Sequence, residues 1–239
     1  MRNEMLLIAS LVVTYGMVLL WYFLLGKKGL YCWTVLATIA ANIEVMILID
    51  AFGMEQTLGN ILFASTFLTT DILSELEGKK SANTAVNIGI LTSLCFIVIS
   101  QSWLWYLPNA NDFVFDGIKT VFSNTPRIVL AGLIVYAIVQ KFDVWMYHVW
   151  WKITEKHCGD SKRFLWIRNN FSTLLSQLLN AVLFTVAAFG GVYDIGTLLN
   201  IIGVSYLIFI VTSLADTPIV YFARYLSEKR KNKQAATAL

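Results

Sequence analysis

Charged residues are scarce in this chain of 239 residues: they make up 14% of the sequence, whereas hydrophobic residues make up 57%. So small a charged fraction excludes an ordinary soluble domain, which needs more polar surface. The mean hydropathy of +0.66 is that of an integral membrane protein. The short alternating segments of a transmembrane β-barrel are also absent, so we predict an all-α membrane protein.

Cysteine and histidine are nearly absent as well, and this excludes several kinds of site. The cysteines Cys32, Cys95 and Cys158 are odd in number and lie in or beside apolar segments, so neither a disulfide framework nor a metal site is predicted. The two histidines, His148 and His157, have no partner at metal-ligand spacing. Because phosphate-loop, zinc-protease and nucleophile–base motifs are also lacking, we expect neither an enzyme nor a cofactor.

Seven apolar runs are each long enough to span a bilayer, for which about 20 helical residues suffice. They lie at about residues 4–25, 31–50, 57–76, 83–107, 126–151, 168–190 and 196–224. Glycine and lysine separate several of them, as at Gly26-Lys27-Lys28 and Gly78-Lys79-Lys80. The first run is longer than a signal-peptide core and no small-residue cleavage site follows it, so we interpret it as a retained helix.

Basic residues are concentrated in alternate connections, and this pattern predicts the orientation. By the positive-inside rule the basic side is cytoplasmic, which places the C-terminus inside and the N-terminus outside. That side holds 14 of the 18 basic residues: Lys27, Lys28, Lys79, Lys80, Lys152, Lys156, Lys162, Arg163, Arg168, Arg224, Lys229, Arg230, Lys231 and Lys233. Because this charge lies in the connections and the tail, it does not indicate nucleic-acid binding.

The sixth predicted span is a helix with one polar face. This face carries Asn169, Ser172, Thr173, Ser176, Gln177 and Asn180. In lipid each of these groups needs a partner within the protein or in a wet cavity, so we predict that the face is turned toward the bundle interior. Hydroxyl residues also join transmembrane helices, but Gln177 and Asn180 are better explained by a binding site.

Other polar and charged side chains, which are costly to place in lipid, lie within the second, third, fifth and last predicted spans. Asn42 and Glu44 point about 200° apart on their helix, so they cannot easily line one cavity. Asp143 lies near a helix end, from which it could snorkel to the surface. Asp71 lies deeper in its span, and Asp216 precedes a proline that can kink the last helix and open a binding cavity.

A set of polar and aromatic residues spread over most of the chain carries a family resemblance. The set is Asn42, Phe67, Thr70, Asp71, Glu75, Gly78 with Lys79-Lys80, Arg127, Tyr136, Gln140, Asp143, Arg168-Asn169-Asn170, Ser172-Thr173, Ser176-Gln177, Asp216-Thr217-Pro218 and Tyr221. With these residues the chain resembles the vitamin-uptake-transporter family, the queuosine-precursor transporters of bacteria. The resemblance implies a protein of the bacterial cytoplasmic membrane that imports 7-deazaguanine bases, namely queuine or its cyano or aminomethyl precursors.

The resemblance also implies an architecture. The family is similar to six-helix vitamin-binding membrane proteins of the S-component type, so residues 29–226 are expected to form a six-helix transporter core. Residues 1–28 would then be an extra N-terminal transmembrane helix, and residues 227–239 a basic cytoplasmic tail. An alternative function is a substrate-binding membrane subunit that needs a separate ATPase partner, and a membrane enzyme or anchor is a third. The sequence leaves open whether the chain forms a homodimer.

Two positions depart from the pattern of the family, in which an Asp usually stands at residue 180 and a Lys at residue 209. This chain has Asn180 and Phe209. Removing one member of a buried ion pair strands the other charge at a cost of about 3–5 kcal/mol, so the loss of both together is physically reasonable. If the two positions meet in the fold, the site is neutral.

The polar inventory can be compared with the chemistry of a deazaguanine, which presents a flat ring, two adjacent N–H donors and a carbonyl acceptor. A carboxylate accepts from the two donors together, an amide donates to the carbonyl, and an aromatic ring covers the face. The candidate carboxylates are Asp71, Glu44 and Asp216, the candidate amides Asn42, Gln177 and Asn180, and the candidate stacking rings Phe67 and Phe209. The sequence does not choose among them.

Overall fold

The computed structural model describes residues 2–123, 126–158 and 164–237. These residues form eight helices and one two-stranded antiparallel sheet. The elements are α1 (Arg2–Leu25), α2 (Lys27–Glu44), β1 (Leu48–Ala51), β2 (Met54–Thr57), α3 (Asn60–Leu76), α4 (Lys79–Trp103), α5 (Phe115–Ser123), α6 (Pro126–Cys158), α7 (Leu165–Phe189) and α8 (Ile195–Thr237). Lys162 and Arg163, which contribute to the predicted orientation, lie outside the described residues, as do the first residue of the predicted N-terminal helix and the last two of the tail.

The prediction of a helical membrane protein is confirmed. Among the described helices, five are long and apolar enough to cross a membrane, namely α1, α4, α6, α7 and α8. Large apolar side chains such as Val12, Leu91 and Leu214 are exposed on these helices. Apolar residues on both the inner and the outer faces are typical of helices that are surrounded by lipid. The helices α2 and α3 are shorter, with 18 and 17 residues.

The predicted second span, residues 31–50, is wrong at its C-terminal end. There α2 ends at Glu44, and β1 then pairs with β2 across a two-residue loop. The loop residues Phe52 and Gly53 both have positive φ, of 55° and 72°. Positive φ at both loop positions matches the right-handed twist of paired strands, so this short segment forms a hairpin instead of continuing the helix.

The hairpin marks one end of the helix bundle, called the hairpin end below, and the opposite end is called the tail end. The amide of Asn3 donates to the backbone oxygen of Asp50 at 2.8 Å, so α1 begins at the hairpin end. At the tail end, Gly26 and Gly78 turn the chain with φ of 61° and 82°. Only glycine adopts this conformation at little cost, and both predicted breaks are confirmed.

The most enclosed helix is α3, in which 12 of 17 residues are buried. Its residues Leu68, Ile72 and Leu73 belong to the same apolar cluster as Trp33 of α2. Its buried hydroxyl groups donate to backbone oxygens of the preceding turn, as Thr69 does to Ser65 at 2.9 Å. These internal hydrogen bonds let a polar helix lie in the middle of the bundle without water.

The last helix begins at a capping residue outside the predicted span. The carboxylate of Asp194 accepts from the backbone N–H and the hydroxyl of Thr197 at 3.1 and 2.6 Å. These hydrogen bonds hold the pKa of Asp194 below its ordinary value. The helix then continues through Pro218 to Thr237, well beyond the last predicted span. Its extension is supported by an ion pair between Arg224 and Glu228 at 3.6 Å.

The connection at residues 108–124, predicted to lie on the membrane surface, contains the short helix α5. Its one buried residue is Phe122. The ring of Phe122 packs against those of Phe96 and Trp103 on α4, with centroids 6.0 and 5.6 Å apart. The apolar side of α5 is therefore anchored to the end of α4.

Candidate functional site

The predicted polar face of α7 is turned toward the interior of the bundle. Its members Asn169, Ser172, Thr173, Ser176, Gln177 and Asn180 are buried, whereas Phe171, Leu175 and Leu178 on the opposite face are exposed. From Arg168 to Asn180 this face extends about 18 Å at 1.5 Å per residue. Side chains of the other helices meet it in three groups: a cavity toward the hairpin end, a layer of acids, and an ion-pair cluster at the tail end.

The cavity lies between α2, α3, α4, α6, α7 and α8 and has a volume of about 130 Å³. A cavity of roughly 150 Å³ can hold a benzene ring, so a small flat molecule is the right size of ligand. The polar lining residues are Thr38, Asn42, Thr57, Asn60, Thr66, Ser93, Asn180, Thr185 and Ser205, and the aromatic ones are Phe63, Tyr136, Phe184, Phe189 and Phe209. All the lining residues of this described cavity are uncharged.

An aromatic cluster around Phe63 forms one wall of the cavity. The ring of Phe63 lies edge-on to those of Phe67 and Tyr136, with centroids 5.4 and 6.1 Å apart. It is tilted against the ring of Phe209 at 6.2 Å. Tyr136 in turn packs so closely on α4 that a β-carbon at Gly89 would overlap the tyrosine ring. The wall offers apolar ring surface to a flat ligand.

The amides of the cavity are only partly used by the protein. The side-chain N–H of Asn42 donates to the backbone oxygen of Thr38 at 2.7 Å, which leaves the amide oxygen as an acceptor for a ligand. The amide oxygen of Asn60 accepts from Thr57 at 3.2 Å, which leaves its NH₂ group as a donor. The cavity therefore offers both kinds of hydrogen-bonding partner.

Three buried acids from three helices are each bound to α7. Thr173 donates to Asp71 of α3 at 3.0 Å, Ser176 to Asp143 of α6 at 2.6 Å, and Asn169 to Asp216 of α8 at 2.6 Å. Each acid exposes no more than 1% of its surface, and none takes part in the ion pairs found among the described residues. These three acids are called the acid layer below.

Several oxygen atoms in or beside the acid layer have no hydrogen-bond partner. They are Oδ1 of Asp71, Oδ2 of Asp143, Oδ1 of Asn169 and Oε1 of Gln177. An unsatisfied buried polar group costs about 1–3 kcal/mol, and more when it is charged. Such a concentration of acceptors is typical of a functional site, because packing alone would not retain it.

An ion-pair cluster joins four helices at the tail end. The carboxylate of Glu75 on α3 accepts from Arg168 of α7 at 2.7 and 2.9 Å, from Arg224 of α8 at 3.1 Å and from Tyr147 of α6 at 2.9 Å. The guanidinium of Arg168 also lies 4.3 Å from the centroid of the Trp151 ring. We call this group the tail-end clamp, since it holds the helices together beneath the acid layer.

The structure brings together some of the predicted site residues and separates others. Three of them, Asn42, Asn180 and Phe209, line the cavity. Three more, Asp71, Gln177 and Asp216, lie in or beside the acid layer and are almost fully buried. Phe67 stands behind the cavity wall and is fully buried. Glu44, at the end of α2, is half-buried and is not among the lining residues. This agrees with the prediction that Asn42 and Glu44 point in different directions from their helix.

Sequence reasoning missed part of the site. The residues Phe63 and Asn60 carry no signal of their own, because they lie in the first turn of α3 among ordinary apolar residues. The position of Asp143 near a helix end suggests a snorkelling side chain, but the residue is fully buried and bonds to Ser176 of α7. A sequence signal for this burial exists, because Gln140 and Asp143 are three residues apart and so lie on one face of α6. In the structure the amide of Gln140 is also turned inward and donates to Thr66 at 2.7 Å.

The polar face of α7 has the cavity toward its hairpin end and the tail-end clamp at its other end. This arrangement is what a membrane carrier requires. Such a protein binds its substrate from one side while the path to the other side stays closed. Here the cavity could take a small, flat, uncharged molecule, and the clamp closes the tail end of the same helices. No described group of three or more His, Cys, Asp or Glu residues could hold a metal ion.

Comparisons with known proteins agree with these features. The model of a family described as putative vitamin uptake transporter matches residues 57–223 of the chain. A Bacillus subtilis (strain 168) protein named "Probable queuosine precursor transporter" is 34% identical over 224 residues, which cover 94% of this chain and 96% of that protein. No solved structure matches the chain.

Proposed function

Because the chain belongs to the family of putative vitamin uptake transporters, we propose that it imports queuosine precursors, the 7-deazaguanine bases. Membership of a transporter family makes the chain a multi-pass membrane transporter and not an enzyme. The name of the Bacillus relative supports the class of substrate. The alternative role as a binding subunit with a separate ATPase has no comparable support.

The observation that carries the proposal is the uncharged cavity between an aromatic wall and free amide groups. A deazaguanine fits it by chemistry: the ring lies against Phe63 and Phe209, and the polar edge meets Asn42 and Asn180. Asn60 adds a donor on the hairpin side of the cavity. The predicted site residues Asp71, Gln177 and Asp216 lie deeper, so the base reaches them only when the cavity extends toward the tail end.

The lack of charge in the cavity favours one base over the others. Both departures from the family pattern, Asn180 and Phe209, line this cavity. An ammonium group placed there would lose its hydration without gaining a counter-ion. We therefore expect the cyano precursor, whose substituent carries no basic amine, to bind more tightly than the aminomethyl precursor or queuine, whose substituents do.

The proposed orientation places the hairpin end outside the cell and the tail end in the cytoplasm. The shorter helices α2 and α3 would cross the membrane with the five longer ones, giving seven spans. In this arrangement residues 29–226 form a six-helix core resembling S-component transporters, residues 1–28 an added helix and residues 227–239 the cytoplasmic tail. One chain supplies the cavity, the acid layer and the clamp.

Import then requires two changes in the bundle. The base enters the cavity from outside while Glu75 holds the clamp closed at the cytoplasmic side. Release of the clamp and closure of the hairpin end would open the same site inward, as alternating access requires. The acid layer lies between these two gates.

The proposal is tested by uptake of labelled bases into bacterial cells that lack both synthesis and salvage of queuosine precursors. Cells expressing only this chain are expected to accumulate the cyano base well above empty-vector cells. Accumulation only when an ATPase subunit is added would favour the binding-subunit alternative. No accumulation of any base by the membrane-inserted protein would refute the proposed substrate class.

A further inference from the structure

We infer that Asp143 binds a proton whose entry drives the transporter. This inference rests on the proposed transport function and adds its energy source. It begins from the hydroxyl of Ser176, which lies 2.6 Å from Oδ1 of Asp143 and 3.0 Å from the backbone oxygen of Thr173. A hydroxyl has a single proton, so it can make one full hydrogen bond as a donor and share at most a weaker one with the second oxygen. If Asp143 is protonated, it donates to Ser176 and Ser176 donates to Thr173, and both contacts are satisfied.

The surroundings of Asp143 also favour a neutral acid. It is fully buried, its Oδ2 has no partner, and it lies in the same layer as Asp71 and Asp216. Two acids that share a buried site do not readily carry charge together, and an ionised acid without a cation is costly there.

The charged groups on the neighbouring helices do not supply that cation. On α3, Glu75 binds Arg168 of α7 and Arg224 of α8 in the tail-end clamp. On α6 itself, Lys141 donates to Asn87 and Asn83 of α4 at 2.6 and 3.4 Å. Among the described residues, the tyrosines Tyr147 of α6 and Tyr15 of α1 also lie close to these acids. His148 of α6 bonds to the backbone oxygen of Val144. The lysines of α4, Lys79 and Lys80, lie in its first turn at the tail end.

A proton fits this site better than a metal ion. A proton satisfies the Asp143–Ser176 pair directly, because protonated Asp143 donates to Ser176 and leaves its hydroxyl free to donate to Thr173. Among the described residues, the three acids do not form a group that could hold a metal ion. The acid layer also lies between the cavity and the clamp, where a proton can follow the base from one side of the membrane to the other. The proton would bind while the cavity faces outward and leave when the clamp opens.

The test uses proteoliposomes that contain only the purified full chain and labelled cyano base. Exchange of labelled for unlabelled base without any gradient tests the proposed transport function by itself. If exchange occurs, an imposed gradient with an alkaline interior is expected to raise accumulation at least tenfold, and a sodium gradient is expected to have no effect. Accumulation driven by sodium, or by neither gradient in protein that exchanges, overturns the inference.

Two variants then identify the proton-binding group. Asp143→Asn is expected to exchange base but to lose accumulation driven by the proton gradient, whereas accumulation like that of the parent would overturn the assignment. Ser176→Ala removes the acceptor of the protonated acid, so half-maximal uptake should move to lower external pH by about one unit. An unchanged or higher value would show that Asp143 is not the donor. Lys141→Gln, on the same helix, is the control and should leave the pH profile unchanged.

Discussion

At the scale of single residues, substitution of Asn180 tests whether the polar face of α7 binds the ligand or only packs against other helices. This residue lines the cavity, so Asn180→Ala is expected to leave the melting temperature of the ligand-free protein nearly unchanged, because water fills the space. The same variant should lose most of the stabilisation that the cyano base gives the parent. Asn180→Asp should shift the preference toward bases with a basic side-chain amine, since it restores a negative charge. Thermal unfolding with each base measures both effects.

The matched control for this prediction is Asn170, another buried amide of α7. Its side chain donates to Thr217 of α8 at 2.6 Å and so joins two helices. Asn170→Ala should lower the melting temperature without ligand by breaking this bond, yet keep the full ligand-induced shift. If Asn180→Ala behaves like Asn170→Ala, the amide at 180 is part of helix packing and the substrate lies elsewhere.

Substitution of Asp71 tests whether the acid layer takes part in transport. Asp71→Asn keeps the oxygen that accepts from Thr173 but removes the negative charge. We expect uptake to be lost while the amount of protein in the membrane stays the same, as judged by uptake assays and immunoblots of one membrane preparation. Ser74→Ala is the control on the same helix, since the Ser74 hydroxyl is buried without a partner and should be dispensable. Normal uptake by Asp71→Asn would remove this acid from the mechanism.

Much of the residue-scale site follows from the sequence, because charged and amide groups are costly in lipid. This cost correctly predicts that the polar face of α7 is turned inward and that Asp71 is deeply buried. It does not separate the cavity from the acid layer, because Gln177 and Asn180 are one turn apart yet lie in different surroundings. Nor does it reveal Phe63, whose role depends on three rings from different turns and helices.

At the scale of helices, the contact between α4 and α6 sets the width of the cavity. Gly89 leaves room for the ring of Tyr136, which lines the cavity. Gly89→Ala should therefore push the ring into the cavity and weaken binding of the cyano base at least tenfold in a titration. Gly203→Ala is the control, because a β-carbon there would meet nothing within 4 Å and the residue does not line the cavity. Equal affinity in both variants would contradict the role of Tyr136.

The helix boundaries show where a hydropathy pattern is a sufficient guide. It places α1 and α7 to within three residues, because each is a single long apolar run. It finds α4 and α6 as well, but ends the former at 107 instead of Trp103 and the latter at 151 instead of Cys158. It extends the second span too far, since the apolar residues Met46-Ile47-Leu48-Ile49 continue past the end of α2. The strand structure of Leu48 and Ile49 depends on pairing with β2, a contact that the helical pattern of one segment does not contain.

At the scale of the whole molecule, the orientation in the membrane connects the cavity with uptake. The alternating charge of the connections predicts an outer N-terminus and a cytoplasmic C-terminus. Reporter fusions that fluoresce only in the cytoplasm should be bright at the C-terminus and dark at the N-terminus, and fusions active only in the periplasm should give the reverse. Both termini on one side would mean an even number of spans and would contradict the seven-span arrangement.

The most direct test of the account is whether the substrate occupies the cavity from outside the cell. In a functional variant with Cys32, Cys95 and Cys158 replaced by serine, Ser205→Cys places one thiol in the lining. We predict that an impermeant thiol reagent added to intact cells modifies this residue, and that the cyano base slows the reaction at least fivefold. Asn109→Cys, on the exposed connection after α4, should react equally with and without the base. Modification of Ser205→Cys that the base does not slow, in cells that take up the base, would contradict the central claim that this cavity binds the substrate.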